Sequence, residues 1–289
     1  MLLQDKVAVI TGSGRGIGRG IAIAMAKQGA HVVVNDPGVE LNGTGGSSSP
    51  ADQVVAEIKA FGGSAIANYD SVATIEGGER LINTAVDNFG TVHILANCAG
   101  ILRDRMVWNM SEEEWDAVIA VHLKGHFATS RVAAAIMRKQ QYGRIINFTS
   151  WSGLEGNAGQ ANYGAAKGGV MGLTLVLALE LAKYNVTVNA IAPGASTRMT
   201  QSVPTEQEAG AAPPAEAEDI APVAVFLASE KAAYINGQIV GARGGQIALW
   251  QHPRPIGMIC KSGRWEPEEL ADVFRQSFAN ILHKPGHTP

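Results

Sequence analysis

Tyr163 and Lys167 lie four residues apart in a stretch, Asn162 to Tyr184, that reads as a helix, so their side chains share one face. A free phenol titrates near ~10 and is a weak base at neutral pH. An ammonium one turn away favours the phenolate and is expected to lower that value. Ser150 stands thirteen residues before Tyr163, just past a β-branched run from Arg144 to Phe148. A hydroxyl at the carboxyl end of a strand can hold a substrate oxygen beside the phenol. The three groups together suit proton transfer at an alcohol or carbonyl. Tyr-x-x-x-Lys by itself is an ordinary solvated helix face, and it takes on chemical meaning from what precedes it in the chain.

A second set of residues lies near the amino terminus. Val7 to Ile10 reads as a buried strand and runs into Thr11-Gly12-Ser13-Gly14-Arg15-Gly16-Ile17-Gly18, after which Ile17 to Gln28 reads as a helix. Gly12 permits a tight turn, Gly16 lets a pyrophosphate approach the backbone, and Gly18 lets helix and strand pack closely. The helix N-terminus adds free N–H groups and partial positive charge. Asp36 ends the next strand, eighteen residues past Gly18, where a carboxylate accepts from ribose hydroxyls and repels a 2′-phosphate. Arg15 in the turn pulls the other way. NAD is therefore the expected cofactor and NADP the second choice; a plain turn aspartate before Pro37 is the alternative reading of Asp36.

The elements that must position these groups alternate regularly. Strands are expected at His31–Val34, Ala65–Ala67, Val92–Ala96, Arg144–Phe148, Val186–Ile191 and Gln238–Val240, with helices at Ala51–Ala60, Glu76–Asn88 and Ile220–Leu227 and one long helix or two joined ones over Glu112–Gln141 between them. Such alternation implies right-handed βαβ units and a Rossmann-type doubly wound parallel sheet of the α/β class. Pro37 to Pro50 reads as a long loop. Thr197 to Pro214, with Met199 and Val203, reads as a lid over the site. One domain is expected over residues 1–245, and the extension 246–289, with Trp250, Trp265, Phe274 and Phe278, is expected to pack on the body or on a partner subunit.

The chain has 289 residues, 46% of them hydrophobic and 17% charged, and a net charge of −3. The composition supports a sizeable core and offers no basic excess for nucleic acid. Cys98 and Cys260 are too few for a disulfide framework, and the seven histidines lack metal-ligand spacing. Gly168 to Ala182 is too short and interrupted for membrane insertion. A cytoplasmic location is the expectation.

In combination, Thr11-Gly12-x-x-x-Gly16-Ile17-Gly18, Asn97-Cys98-Ala99-Gly100, Ser150, Tyr163-x-x-x-Lys167 and Pro193-Gly194 resemble the short-chain dehydrogenase/reductase family over residues 5 to about 245. The resemblance implies that Asp70 and Ser71 border the adenine and that Asn97, Ala99 and Gly100 line the cofactor. It places Pro193, Gly194 and Thr197 on the nicotinamide side and Lys167 on the ribose. Asn35-Asp36, Asn68-Tyr69-Asp70-Ser71, Arg103-Asp104-Arg105, Val121-His122-Leu123 and Gly159-Gln160-Ala161-Asn162-Tyr163 are similar to the family's (3R)-hydroxyacyl-CoA dehydrogenase group, which is also associated with 17β-hydroxysteroids. Many family members carry an asparagine in a proton relay where this chain has His122. Two roles stay open for that residue, a relay through ring or carbonyl and simple packing at a helix kink.

The expected activity is reversible hydride transfer between a secondary alcohol and the nicotinamide. The substrate would be a (3R)-3-hydroxyacyl-CoA or, second, a steroid; a non-catalytic nucleotide-sensing scaffold is the reading from another class. Assembly is expected as a homodimer, with a homotetramer as the alternative, through the helices around Glu112–Gln141 and Asn162–Tyr184.

Overall fold

Strand residues of alternating parity build two cores. The computed structural model describes residues 1–194 and 215–282. In β1 (Val7–Thr11), Ala8 and Ile10 enter one buried cluster while Val7 and Val9 enter another on the opposite face. In β2 (His31–Asn35), Val32 and Val34 join the first cluster and Val33 the second. A strand that is apolar on both faces belongs to a sheet covered on both sides.

The remaining strands are β3 (Ser64–Asn68), β4 (Ile94–Asn97), β5 (Gly143–Phe148), β6 (Val186–Pro193), β7 (Ile239–Arg243) and β8 (Gln246–Leu249). They form one sheet in the order β3-β2-β1-β4-β5-β6-β7-β8. Every pairing is parallel except the last, β7 with β8. This is the doubly wound α/β sheet that the alternation predicts. The strand order reverses between β1 and β4, and in open sheets of this kind ligands bind in the crevice at that point.

The helices are α1 (Gly16–Lys27), α2 (Ser49–Ala60), α3 (Ile75–Phe89), α4 (Glu112–Ile119), α5 (Gly125–Gln140), α6 (Trp151–Leu154), α7 (Ala161–Leu181) and α8 (Ala221–Ala228). Ile21, Met25, Ile58 and Leu227 cover one face of the sheet, and Leu81, Ile82, Met137 and Leu181 cover the other. The segment expected as one or two helices over Glu112–Gln141 is α4 and α5 joined by a π-helical turn, Ala120–Lys124. A capping box between Ser111 and Glu114 starts it. Among the described residues α7 is the one helix long and apolar enough to cross a membrane. It lies instead against β6 and α6 and carries two of the candidate site residues.

The chain divides into two compact units, Met1–Trp250 and Gln251–Pro289. Strand β8 carries the first unit past the expected boundary at residue 245. The second unit contains α9 (Pro267–Phe278), where Phe274 and Phe278 meet edge to face at 5.0 Å and Lys261 pairs with Glu269 ahead of and inside the helix. Thr197 and the expected lid over 197–214 lie outside the described residues, as do His283 and His287.

Candidate active site

The glycine run turns as its residue types require. Gly12 and Gly16 adopt φ of 63° and 52°, in the left-handed region that glycine enters freely. A Cβ on Gly18 would stand 2.3 Å from the Gly12 carbonyl oxygen, so helix and turn touch only because no side chain intervenes. The Ser13 hydroxyl is buried and donates to the Ile10 carbonyl at 2.7 Å, which holds the turn from below. Thr11, whose hydroxyl the motif did not single out, accepts the N–H groups of Cys98 and Ala99 at 2.9 Å each. It thereby fixes the end of β4 against the glycine turn.

A cleft of about 420 Å³ opens there, lined by Gly12, Arg15, Gly16, Ile17 and Gly18 from the turn, by Asp36 after β2, by Ser71 after β3, and by Ala99 and Gly100 after β4. Its donor set fits a dinucleotide. Helix α1 begins with no side-chain cap and no acidic residue in its first turn, so its leading N–H groups are free to meet a diphosphate. Nothing lies within 4 Å of where a Cβ on Gly16 would be, which leaves backbone open to a close approach. Asp36 is oriented at the cleft edge by two backbone N–H donors, Gly14 at 2.9 Å and Gly38 at 2.7 Å. Arg15 reaches across to the Val39 carbonyl at 3.4 Å.

Of the residues expected at the cofactor, Asp70, Asn97, Pro193 and Gly194 do not line this cleft. The Asp70 carboxylate pairs with Arg80 at 2.6 Å and accepts from Asn68, and it does not line the cleft, whereas Ser71 does. The Asn97 side chain is buried and bonds to Asn147, Ser130 and Thr129, so it ties β4, β5 and α5 together under the site. Pro193 and Gly194 close β6 against Ala242, outside the cleft lining. For Asp70 and Asn97 the reason is the same: each polar side chain first satisfies its protein neighbours.

Ser150, Tyr163, Lys167 and His122 come together at the carboxyl end of β5. Ser150 caps α6, accepting the Ser152 N–H at 3.2 Å, and its hydroxyl lies close enough to the Tyr163 phenol to lower the phenol's pKa. The Lys167 ammonium is 3% exposed, donates to the Phe148 carbonyl at 2.5 Å and lies 5.7 Å from the centre of the Tyr163 ring. His122, in the π turn, meets the same ring edge to face at 5.0 Å. Its Nε2 lies 3.0 Å from the Ile101 nitrogen and 2.8 Å from its oxygen, while the buried Nδ1 has no partner among the described residues.

The expected depression of the Tyr163 pKa by Lys167 does not hold within this protein matrix. Burial raises the phenol above its usual value, the bond from Ser150 lowers it, and the Asp104 carboxylate raises it again. Burial also pushes Lys167 down to about 7, so near neutrality the amine is only partly charged. A low-dielectric pocket penalises both ions, and that penalty exceeds their mutual attraction at this distance. Burial and the Lys167 charge keep His122 far below the ordinary imidazole value, hence neutral. Burial also raises the Cys98 thiol, which leaves it unreactive.

Spacing gave no sign of three further residues. His126, one turn past His122, is buried and neutral behind Lys167. Asp104 and Gln160 join the β4–α4 loop to the start of α7 at 2.8 Å. Each belongs to a loop or helix interior whose partner is distant in sequence.

A sequence profile described as short chain dehydrogenase matches residues 6–208. A short-chain type dehydrogenase/reductase of Mycobacterium tuberculosis is 50% identical over 246 residues, covering 85% of this chain and 84% of its own. Mouse peroxisomal multifunctional enzyme type 2 is 46% identical over 275 residues, 94% of this chain but 36% of that longer protein. Hydroxyacyl-CoA dehydrogenase ChsB1 of M. tuberculosis is 40% identical over 289 residues, 96% of this chain and 90% of its own. The crystal structure of a short chain dehydrogenase from Mycobacterium avium superposes with a TM-score of 0.85 at 45% identity, covering 99% of this chain and 98% of that one.

Proposed function

The chain belongs to the short-chain dehydrogenase family and is an oxidoreductase, and within that family we propose that it oxidises (3R)-3-hydroxyacyl-CoA thioesters with NAD, reversibly. The observation that carries the reading is the convergence of Ser150, Tyr163 and Lys167 at the end of β5, on the sheet edge that also holds the glycine cleft. The acyl-thioester class is supported by relatives named hydroxyacyl-CoA dehydrogenase and 3-oxoacyl-[acyl-carrier-protein] reductase. NAD over NADP is supported by the Asp36 carboxylate, which the Gly14 and Gly38 amides hold at the cleft edge where a 2′-phosphate would meet its charge.

In this mechanism Gly12, Gly16 and the first turn of α1 hold the diphosphate, Asp36 the adenosine ribose, and Lys167 the second ribose. The bound dinucleotide supplies the hydride acceptor at its nicotinamide ring. Ser150 donates to the substrate oxygen and stabilises its developing charge. The Tyr163 oxygen takes the hydroxyl proton during oxidation and returns it during reduction. Lys167, poised near about 7, can hold or release a proton at its Nζ close to working pH. His122 stays neutral and anchors the Ile101 peptide beside the phenol. Self-association through α5 and α7 is part of the proposal, since Phe127, Val176 and Leu179 expose apolar side chains there; light scattering tests it.

Absorbance at the reduced-nicotinamide band tests the substrate and cofactor. The (3R)-3-hydroxyacyl-CoA should react with NAD far faster than its (3S) isomer, a 17β-hydroxysteroid, or any pair with NADP. A steroid or NADP preference overturns that part. Tyr163→Phe should lower turnover by about a thousandfold or more while dinucleotide binding, followed by fluorescence, stays within a fewfold. Substantial retained turnover defeats the assignment of the phenol.

A further inference from the structure

Gln160 occupies the cap position of α7 yet makes no capping hydrogen bond. Its side chain is 5% exposed and is directed elsewhere. Oε1 accepts the Ser152 hydroxyl at 2.7 Å and the Asn157 amide at 3.1 Å, and Nε2 donates to Asp104 at 2.8 Å. A residue serving helix stability alone would satisfy the free N–H groups of the first turn. This one instead fastens that turn, three residues ahead of Tyr163, to the loop that follows β4. The backbone reinforces the junction, with the Arg105 N–H on the Gly159 carbonyl at 2.8 Å.

Asp104 is the anionic end of the junction. Arg103 and Arg105 flank it in sequence, but Arg103 donates to the Asn42 carbonyl at 2.8 Å and Arg105 pairs with Glu114 at 2.8 Å. Among the described residues Asp104 forms no ion pair. Lys167 from its own helix, Ser150 from the end of β5 and His122 from the π turn face the phenol, and Asp104 enters from the β4–α4 loop through its bond with Gln160. Asp104 is the anion among them.

Resting on the dehydrogenase reading above, we propose that Gln160 and Asp104 are a positioning pair for Tyr163: the amide ties the first turn of α7 to the β4–α4 loop and so fixes where the phenol stands, and it holds the Asp104 carboxylate against that same turn. A negative charge near a phenol opposes ionisation and makes the phenolate, once formed, a stronger base. The upward push of Asp104 on Tyr163 agrees in direction. Phenol held protonated at neutral pH is the form that delivers a proton to a carbonyl, whereas oxidation, which needs the phenolate, should gain from rising pH.

The two roles separate by substitution in the full chain. Asp104→Asn keeps an oxygen acceptor for the Gln160 amide and removes the charge. The rising limb of the oxidation pH profile should move down by about half a pH unit or more, with plateau kcat within about twofold. Gln160→Met keeps length and packing and removes the polar end; kcat at the plateau should fall about tenfold with KM little changed and thermal melting still cooperative. Ultraviolet titration of the Tyr163 phenolate, taken as the difference from Tyr163→Phe without cofactor, should show the same downward shift in Asp104→Asn. An unmoved titration in Asp104→Asn overturns the electrostatic role, and unchanged kcat in Gln160→Met overturns the positioning role. Should Tyr163→Phe stay active, the assignment of the phenol on which the pair rests fails; should it be inactive while Asp104→Asn titrates like wild type, only the electrostatic role of the pair fails.

Discussion

Lys167 is a buried amine, 3% exposed, that donates to the Phe148 carbonyl. Its value falls from 10.5 to about 7 because burial disfavours the ammonium. The unfolded chain therefore binds a proton that the folded chain lacks between about pH 7 and 10.5, and stability rises with pH across that window. Below it both states are protonated and the full cost of the buried charge remains. Lys167→Met should accordingly stabilise the fold at pH near ~6 by on the order of 1–3 kcal/mol, the loss of the Phe148 bond offsetting part of the gain. The advantage should fade toward alkaline pH, and turnover should collapse throughout. Equal melting temperatures at acid pH would refute the account. The pairing of Tyr163 with Lys167 was legible from a four-residue spacing. Its electrostatics were not, because desolvation depends on what other segments pack around both groups.

At the scale of elements, the turn between β1 and α1 separates two demands that look alike as glycines in a row. Gly18 is required by the protein itself, since a Cβ there meets the Gly12 carbonyl at 2.3 Å. Gly16 faces open space and its φ of 52° costs an L-residue about 1 kcal/mol. Gly18→Ala should lower the melting temperature and dinucleotide affinity together. Gly16→Ala should lose roughly tenfold or more in affinity with only that small stability cost, because its Cβ enters the space left for a diphosphate. A melt and a fluorescence titration of each variant check the distinction, and similar melting temperatures for the two would contradict it. Strand and helix positions in this region were readable from β-branched runs and helical spacing. The π turn over Ala120–Lys124 was not, since it arises where His122 must reach the Ile101 peptide, a tertiary demand with no local signature.

Across the whole first unit the sheet has a chemical edge and a structural edge. Parallel strands deliver Thr11, Asp36, Gly100 and Ser150 to one end, beside the crevice where the strand order reverses between β1 and β4. Strand β8 escaped that reasoning because it pairs antiparallel as an exposed edge without a buried face to mark it. The opposite end is held by Arg144, fully buried in the second position of β5, whose guanidinium donates to the carbonyls of Gly143 at 2.7 Å and Asn185 at 3.0 Å and to Glu230 at 3.2 Å. It also lies 4.5 Å from the centre of the Tyr142 ring. Ser150 stands six positions beyond Arg144, along β5 and just past its end, roughly 20 Å at the usual rise. Arg144→Ala should leave a cavity, take a donor from two carbonyls and cost on the order of 3 kcal/mol. Because the damage is confined to the far edge, kcat and KM of the molecules that remain folded should stay within about twofold of wild type. A denaturant titration beside steady-state kinetics tests both halves: a stable Arg144→Ala would mean that the guanidinium is not the anchor of that edge, and a stable fold with lost turnover would mean that the two edges are mechanically coupled.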